Sequence, residues 1–215
     1  MTRSLPLSVA VGFVAILAVA EPAAAQRNKI VLTPFVGGLI PLSERGRVTV
    51  NILGQDQSAV LEMRSAPAFG ARLAYQTRGR FGIEGSYFLA SSKSRISLIL
   101  AGTSVGRDQD GQIQGGSIKA TYRLTNGRTD TDFQVSAGIS GTRHSGDLFD
   151  ATRAQDQFDL GGVVGAGLHI LLSPMTTFRV DGELNLYKWS QFRALQSKSQ
   201  TDVLMTVGLA LRLGR

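Results

Sequence analysis

Two histidines, His144 and His169, supply all the imidazole in the 215-residue chain, and there is no cysteine. His144 is followed by Ser145, with Asp147 close by. Base, hydroxyl nucleophile and orienting carboxylate are the residue types of acyl transfer, but such a triad is set by geometry and not by adjacency. The stretch therefore reads as the polar rim of a long loop. His169 falls on the inward side of an alternating segment, where a neighbouring Asp or Glu would satisfy it. The lack of cysteine excludes thiol nucleophiles, disulfide frameworks and Cys-ligated zinc. No group of His, Asp and Glu has metal-ligand spacing. Gly161, Gly162, Gly165 and Gly167 are not followed by Lys-Ser/Thr, so they do not form a phosphate loop. The expectation is a chain with no catalytic, metal or cofactor-binding residue and no enzymatic activity.

The charged residues point elsewhere. Formal net charge is +7, yet cations interleave with anions and form no basic stripe, which argues against nucleic acid as a partner. Arg72, Arg80, Lys119, Arg123, Arg179 and Arg212 fall on the same face of alternating segments as Glu84, Asp132, Asp181, Glu183 and Asp202. These six cations and five anions nearly balance. That balance suits a narrow interior filled by its own side chains, and the eleven are expected to form one ion-pair network there.

The elements that would position them are strands. Polar and apolar residues alternate with a period of two over Phe69–Gln76, Arg80–Leu89, Ser117–Leu124, Asp132–Ser140, Leu160–Ile170, Phe178–Leu186 and Asp202–Leu213. Lys29–Ile40 makes an eighth strand, although both of its faces are apolar and the register is open. Short connections at 77–79, 125–131 (with the turn pair Asn126-Gly127) and 173–176 alternate with long polar ones at 41–65, 91–112, 143–157 and 188–200. An even number of strands of about ten residues, with short turns at one end and long loops at the other, is the layout of a membrane-spanning barrel. A helix over 160–178, a stretch without Asp, Glu, Lys or Arg, is the competing reading; its glycines and Pro174 favour strand, turn, strand. In the two longest loops, Val48, Val50 and Ile52 alternate, as do Ile96, Leu98 and Leu100, a pattern that would carry hairpins beyond the membrane as a protruding sheet.

Composition fits an average over two faces. The chain is 18% charged, contains 25 glycines and has a mean hydropathy of +0.05, too low for a bundle of membrane helices. Tyr75, Phe81, Tyr87, Tyr122, Phe133 and Phe178 sit near strand ends on the apolar face, where interfacial girdles belong. A soluble lipocalin-like barrel is the architectural rival, but inward aromatics, which would shelter a ligand there, are scarce in the alternation. Glycines within the strands would relieve crowding inside a narrow barrel.

Residues 1–25 read as a secretory leader. Arg3 provides the basic start, Ser4 to Ala20 an uncharged apolar run, and Ala23-Ala24-Ala25 the small residues at a cleavage site before Gln26. Residues 26–215 are then one barrel domain.

The chain from Asn28 to Arg215 resembles the small OmpA/OmpX-type outer-membrane β-barrel domains of bacteria, as a pattern of strands. The most specific part is the last one. Thr206, Gly208, Leu211 and Leu213 resemble that family's C-terminal assembly signal, with Leu in place of the terminal aromatic and Gly214-Arg215 added beyond it. The resemblance implies an all-β, eight-stranded antiparallel up-and-down barrel in the outer membrane, standing alone with no peptidoglycan-binding domain. It implies contact with outer-membrane lipid and lipopolysaccharide, delivery by periplasmic chaperones and the barrel-assembly machinery, and a monomer. Lys188, Arg193 and Lys198, in a loop without acids, are the expected lipopolysaccharide contact. Lipid A deacylase barrels place His-any-Ser at the position of His169, and Leu171 stands here instead of the Ser. The expected role is membrane integrity or surface interaction through long loops, around a plugged lumen. The alternatives are a narrow pore or small-solute conduit and a lipid A acyl-modifying enzyme.

Overall fold

The structure, a computed structural model, describes residues 29–43, 46–52, 55–77, 79–100, 103–125, 130–146, 158–189 and 198–213. The leader with its cleavage site, Asn126-Gly127, Asp147 and Arg193 lie outside the described residues.

The described elements are ten strands: β1 (Lys29–Pro41), β2 (Gly46–Ile52), β3 (Gln55–Met63), β4 (Ala66–Gln76), β5 (Phe81–Leu100), β6 (Thr103–Arg123), β7 (Thr131–Gly146), β8 (Phe158–Ser173), β9 (Thr176–Trp189) and β10 (Lys198–Leu213). Eight of them close a barrel. Neighbours run antiparallel in the order β1, β4, β5, β6, β7, β8, β9, β10, and β10 returns to β1 from Ile30↔Leu213 to Pro41↔Asp202. Closure leaves no edge inside the barrel, so backbone donors and acceptors are satisfied without water. The 160–178 stretch is strand, turn, strand: Ser173 Oγ accepts hydrogen bonds from the Met175 and Thr176 amides, reversing the chain at Pro174-Met175.

Two of the long connections continue as paired strands, as the alternation at 48–52 and 96–100 anticipates, and are not polar loops. β5 and β6 stay paired as far as Leu100↔Thr103, and β2 and β3 form a hairpin whose second strand pairs with β5 from Ser58↔Ile99 to Met63↔Ser94. The 41–65 and 91–112 stretches are therefore mostly sheet. Ladder hydrogen bonds are indifferent to whether the flanking surface is lipid or water, so a strand continues wherever a partner runs beside it.

Parity sorts the side chains. On β10, Met205, Val207, Leu209, Leu211 and Leu213 point outward, while Asp202, Leu204, Thr206 and Ala210 are buried inside. Val203 to Leu213 spans about 26 Å along the barrel axis at the usual rise and tilt, which matches the apolar band of such barrels. Phe81, Ile83, Ile118, Phe133, Ile139, Leu160 and Val164 continue the outward apolar band around the wall. Tyr75, Phe81, Tyr122 and Phe133 lie at its short-turn end on the adjacent strands β4 to β7, with the Phe81 and Tyr122 rings 4.9 Å apart. On β1, the odd residues Val31, Thr33, Phe35 and Leu39 turn inward, which settles the register that alternation alone leaves open.

Candidate functional site in the barrel lumen

The lumen is stratified, and its middle layer is ionic. Arg72 on β4 reaches across to β9, donating to Glu183 Oε1 at 2.8 Å, to Asp181 Oδ2 at 3.3 Å and to Thr206 Oγ1 of β10 at 2.8 Å. Lys119 Nζ on β6 lies 2.6 Å from Glu183 Oε1 and 3.1 Å from Glu84 Oε1. Arg179 on β9 donates to Glu84 Oε2 of β5 at 2.8 Å and to Asp181 Oδ1 at 3.1 Å. Three cations thus meet three carboxylates, all six buried. Buried charge is tolerable only when paired and hydrogen-bonded, and here every ion has at least two opposite partners. In the ring of eight strands, β5 and β9 are diametrically opposed. The Glu84–Arg179 pair therefore spans the full width of the lumen.

Two features extend this layer. His169 Nε2 lies 3.3 Å from Asp181 Oδ1, so an acid does satisfy this histidine. The Arg72 guanidinium also stacks on the Phe35 ring, 4.2 Å from its centroid.

Above it, towards the long loops, one side of the lumen is apolar. Phe35 and Leu39 of β1, Phe88 of β5, Ile113 of β6 and Leu204 of β10 pack with Ala66, Ala68 and Ala90 in a single buried cluster. Inward aromatics are therefore present, contrary to the expectation from alternation; Phe35 lies on the strand whose two faces are both apolar. Glycines make room for them. A Cβ at Gly70 would sit 2.7 Å from Phe35 Cζ, and one at Gly115 would run into Phe88 Cε1 and Cζ.

The other side of that level is polar. His144 lies inside the barrel on β7, 1% exposed, and not on a loop rim as expected. Its Nδ1 is 3.9 Å from Asp159 Oδ2, and its ring centroid is 6.2 Å from that of Tyr187, whose hydroxyl donates to Asp202 Oδ2 at 2.6 Å. Ser145 Oγ instead approaches the Gln112 carbonyl, so His144 and Ser145 do not form an aligned pair.

Of the eleven expected network residues, six form the central cluster and five lie apart from it. Arg80 is exposed at the 79–80 turn beside the Tyr122 hydroxyl. Arg123 donates to the Gly79 carbonyl, Arg212 to the Pro174 carbonyl at 2.7 Å, and Asp132 accepts from Thr125 Oγ1. Asp202 belongs to the upper layer with Tyr187. Among the assembly-signal residues, Thr206 is buried against Arg72, Gly208 pairs with Phe35 across the β1–β10 closure, and Leu211 and Leu213 face outward. Lys188 is exposed at the loop end of β9, and for Lys198 only the backbone, at the start of β10, is described.

A closed antiparallel barrel with an outward apolar band, aromatics clustered at its turn end and an ionic interior is a transmembrane β-barrel. The chain has the fold of the small OmpA/OmpX-type outer-membrane barrels. No protein-family model and no curated protein sequence matches it. Among solved structures it is similar to the outer membrane protein OprG from Pseudomonas aeruginosa, at 12% identity and a TM-score of 0.61, covering 89% of this chain and 98% of that one. Neisserial surface protein A matches at 15% identity and a TM-score of 0.46 over 86% of this chain and 97% of that one. The attachment invasion locus protein Ail of Yersinia pestis matches at 12% identity and 0.46 over 87% and 99%. At 12% identity the likeness to OprG establishes the fold alone.

Proposed function

We propose that the chain is an integral outer-membrane protein whose barrel anchors the extracellular β2–β3 and β5–β6 sheet and serves membrane integrity or surface contact without opening a path through the bilayer. The observation that carries this reading is the Glu84–Arg179 pair, with Arg72, Lys119, Asp181 and Glu183 packed around it, joining opposite walls of the lumen. Solute passing this level would have to part three cations from three carboxylates in a low-dielectric interior, where broken pairs leave costly bare charges. The buried side chains of Phe35, Leu39, Phe88, Ile113 and Leu204 fill one side of the lumen above this level and narrow it further. In this reading the protein is non-enzymatic, acts as a monomer and meets lipopolysaccharide through exposed Lys188 together with Arg193 and Lys198. Chaperones and the assembly machinery would recognise the β10 segment with Thr206, Gly208, Leu211 and Leu213.

The test is a deletion strain and its complement. Loss of the chain should sensitise cells to detergent and to apolar dyes, and re-expression should restore the barrier without raising uptake of small hydrophilic solutes. Re-expression that increases such uptake would favour the conduit reading.

A further inference from the structure

The short-turn mouth of the barrel holds a cavity of about 150 Å³, a cup whose floor is formed by Arg179 and His169 of the ionic layer. Its wall carries Lys29, the first residue of β1, Arg123, the last of β6, and Arg212, near the end of β10, with Asp130 and Asp132 beside them. Arg179 is matched from within the barrel by Glu84 and Asp181. The wall cations are not matched in that way. Arg123 and Arg212 are pinned by the Gly79 and Pro174 carbonyls, which are neutral acceptors. Among the described residues neither guanidinium has a carboxylate within ion-pair distance. A guanidinium has five donors in a fixed fork, so each keeps N–H groups to offer a ligand. Asp132 accepts from Thr125 Oγ1, a neutral donor, so Asp130 and Asp132 still set two negative charges against the three positive charges of Lys29, Arg123 and Arg212.

We propose that this cup binds a small oxyanion, a phosphate or carboxylate group, from the periplasmic side. Two guanidiniums and one ammonium line a space with room for several waters or one such group, and oxyanions match the guanidinium fork. The cup ends blindly at the ionic layer, so it captures its ligand and does not conduct it. This site is separate from the long loops and from the expected lipopolysaccharide contact at the other end of the barrel.

The test is amide chemical-shift titration of the full refolded barrel in zwitterionic detergent, with sodium phosphate and sodium acetate each compared to sodium chloride at equal ionic strength. Saturable shifts at Lys29, Thr177 and Arg212 are expected with phosphate or acetate and not with chloride. The arm that saturates at lower concentration identifies the preferred group. The double substitution R123Q/R212Q should weaken binding about tenfold or more, because it removes two charge-assisted contacts. D130N should tighten it by removing a repelling carboxylate, and it leaves the Asp130 carbonyl that accepts the Leu171 amide in place. Should the double variant fail to fold, D130N decides by the sign of its effect. Shifts that chloride reproduces, that never saturate, or that D130N weakens would overturn the proposal.

Discussion

Replacing Arg72 by Met tests whether the lumen is held by balanced ions. Arg72 is 1% exposed and contacts Glu183, Asp181, Thr206 and the Phe35 ring. Met preserves much of the volume and the contact with Phe35 but leaves two cations facing three carboxylates. Removing one partner from a buried ion pair typically costs about 3–5 kcal/mol. With a urea dependence of about 2 kcal/mol per molar, the unfolding midpoint should fall by about 1.5–2.5 M. R72M/E183Q removes one charge of each sign and restores the balance. Lys119 keeps Glu84 at 3.1 Å, and Arg179 keeps Glu84 and Asp181. Because exchanging a whole buried pair for neutral groups is often close to neutral, the double variant should recover at least half of the lost midpoint. The assay is urea unfolding of the refolded barrels in one detergent, read by gel mobility without boiling. An R72M midpoint within about 0.5 M of wild type, or a double variant less stable than R72M, would refute the reasoning.

Other perturbations probe the remaining layers. G115A places a methyl against the Phe88 ring and should destabilise the barrel by about 1–3 kcal/mol, with F88L/G115A recovering most of it in the same assay. I118R puts a cation on the outward face in mid-barrel, where Ile118 is 62% exposed and pairs with Gly85 and Ile139. It should cost about 2–4 kcal/mol in lipid vesicles, the penalty for Arg at a bilayer midplane, whereas a soluble barrel would tolerate it within about 0.5 kcal/mol.

The barrel was legible because its signal repeats. Each lipid-facing strand must be apolar on one face along its length, and β10 displays this from Val203 to Leu213 without interruption. The polar partners of those residues then reveal the ionic face, and Arg72, Glu84, Lys119, Arg179, Asp181 and Glu183 are all readable as inward. Which charges meet was not legible. Contact across a barrel depends on strand stagger, which brings Arg72 to Glu183, 111 positions away, and leaves Arg123 and Arg212 at the mouth. The apolar cluster was hidden for a different reason. Alternation carries no information where both faces are apolar, so inward Phe35 and Leu39 looked no different from outward Val36 and Ile40. The place of His144 on β7 is not legible in the sequence because strands continue past the lipid band, where no change of solvent marks their ends. The glycines at 70 and 115 could have signalled the hidden rings, since a strand glycine often marks close approach by another group.

The Glu84–Arg179 pair and its neighbours join opposite walls of the lumen and should close it to ions. Planar-bilayer recording of the refolded wild-type barrel tests that most directly. A baseline indistinguishable from protein-free bilayers in molar salt is expected; steady, voltage-independent open channels from the folded, heat-modifiable protein would show that the lumen is open.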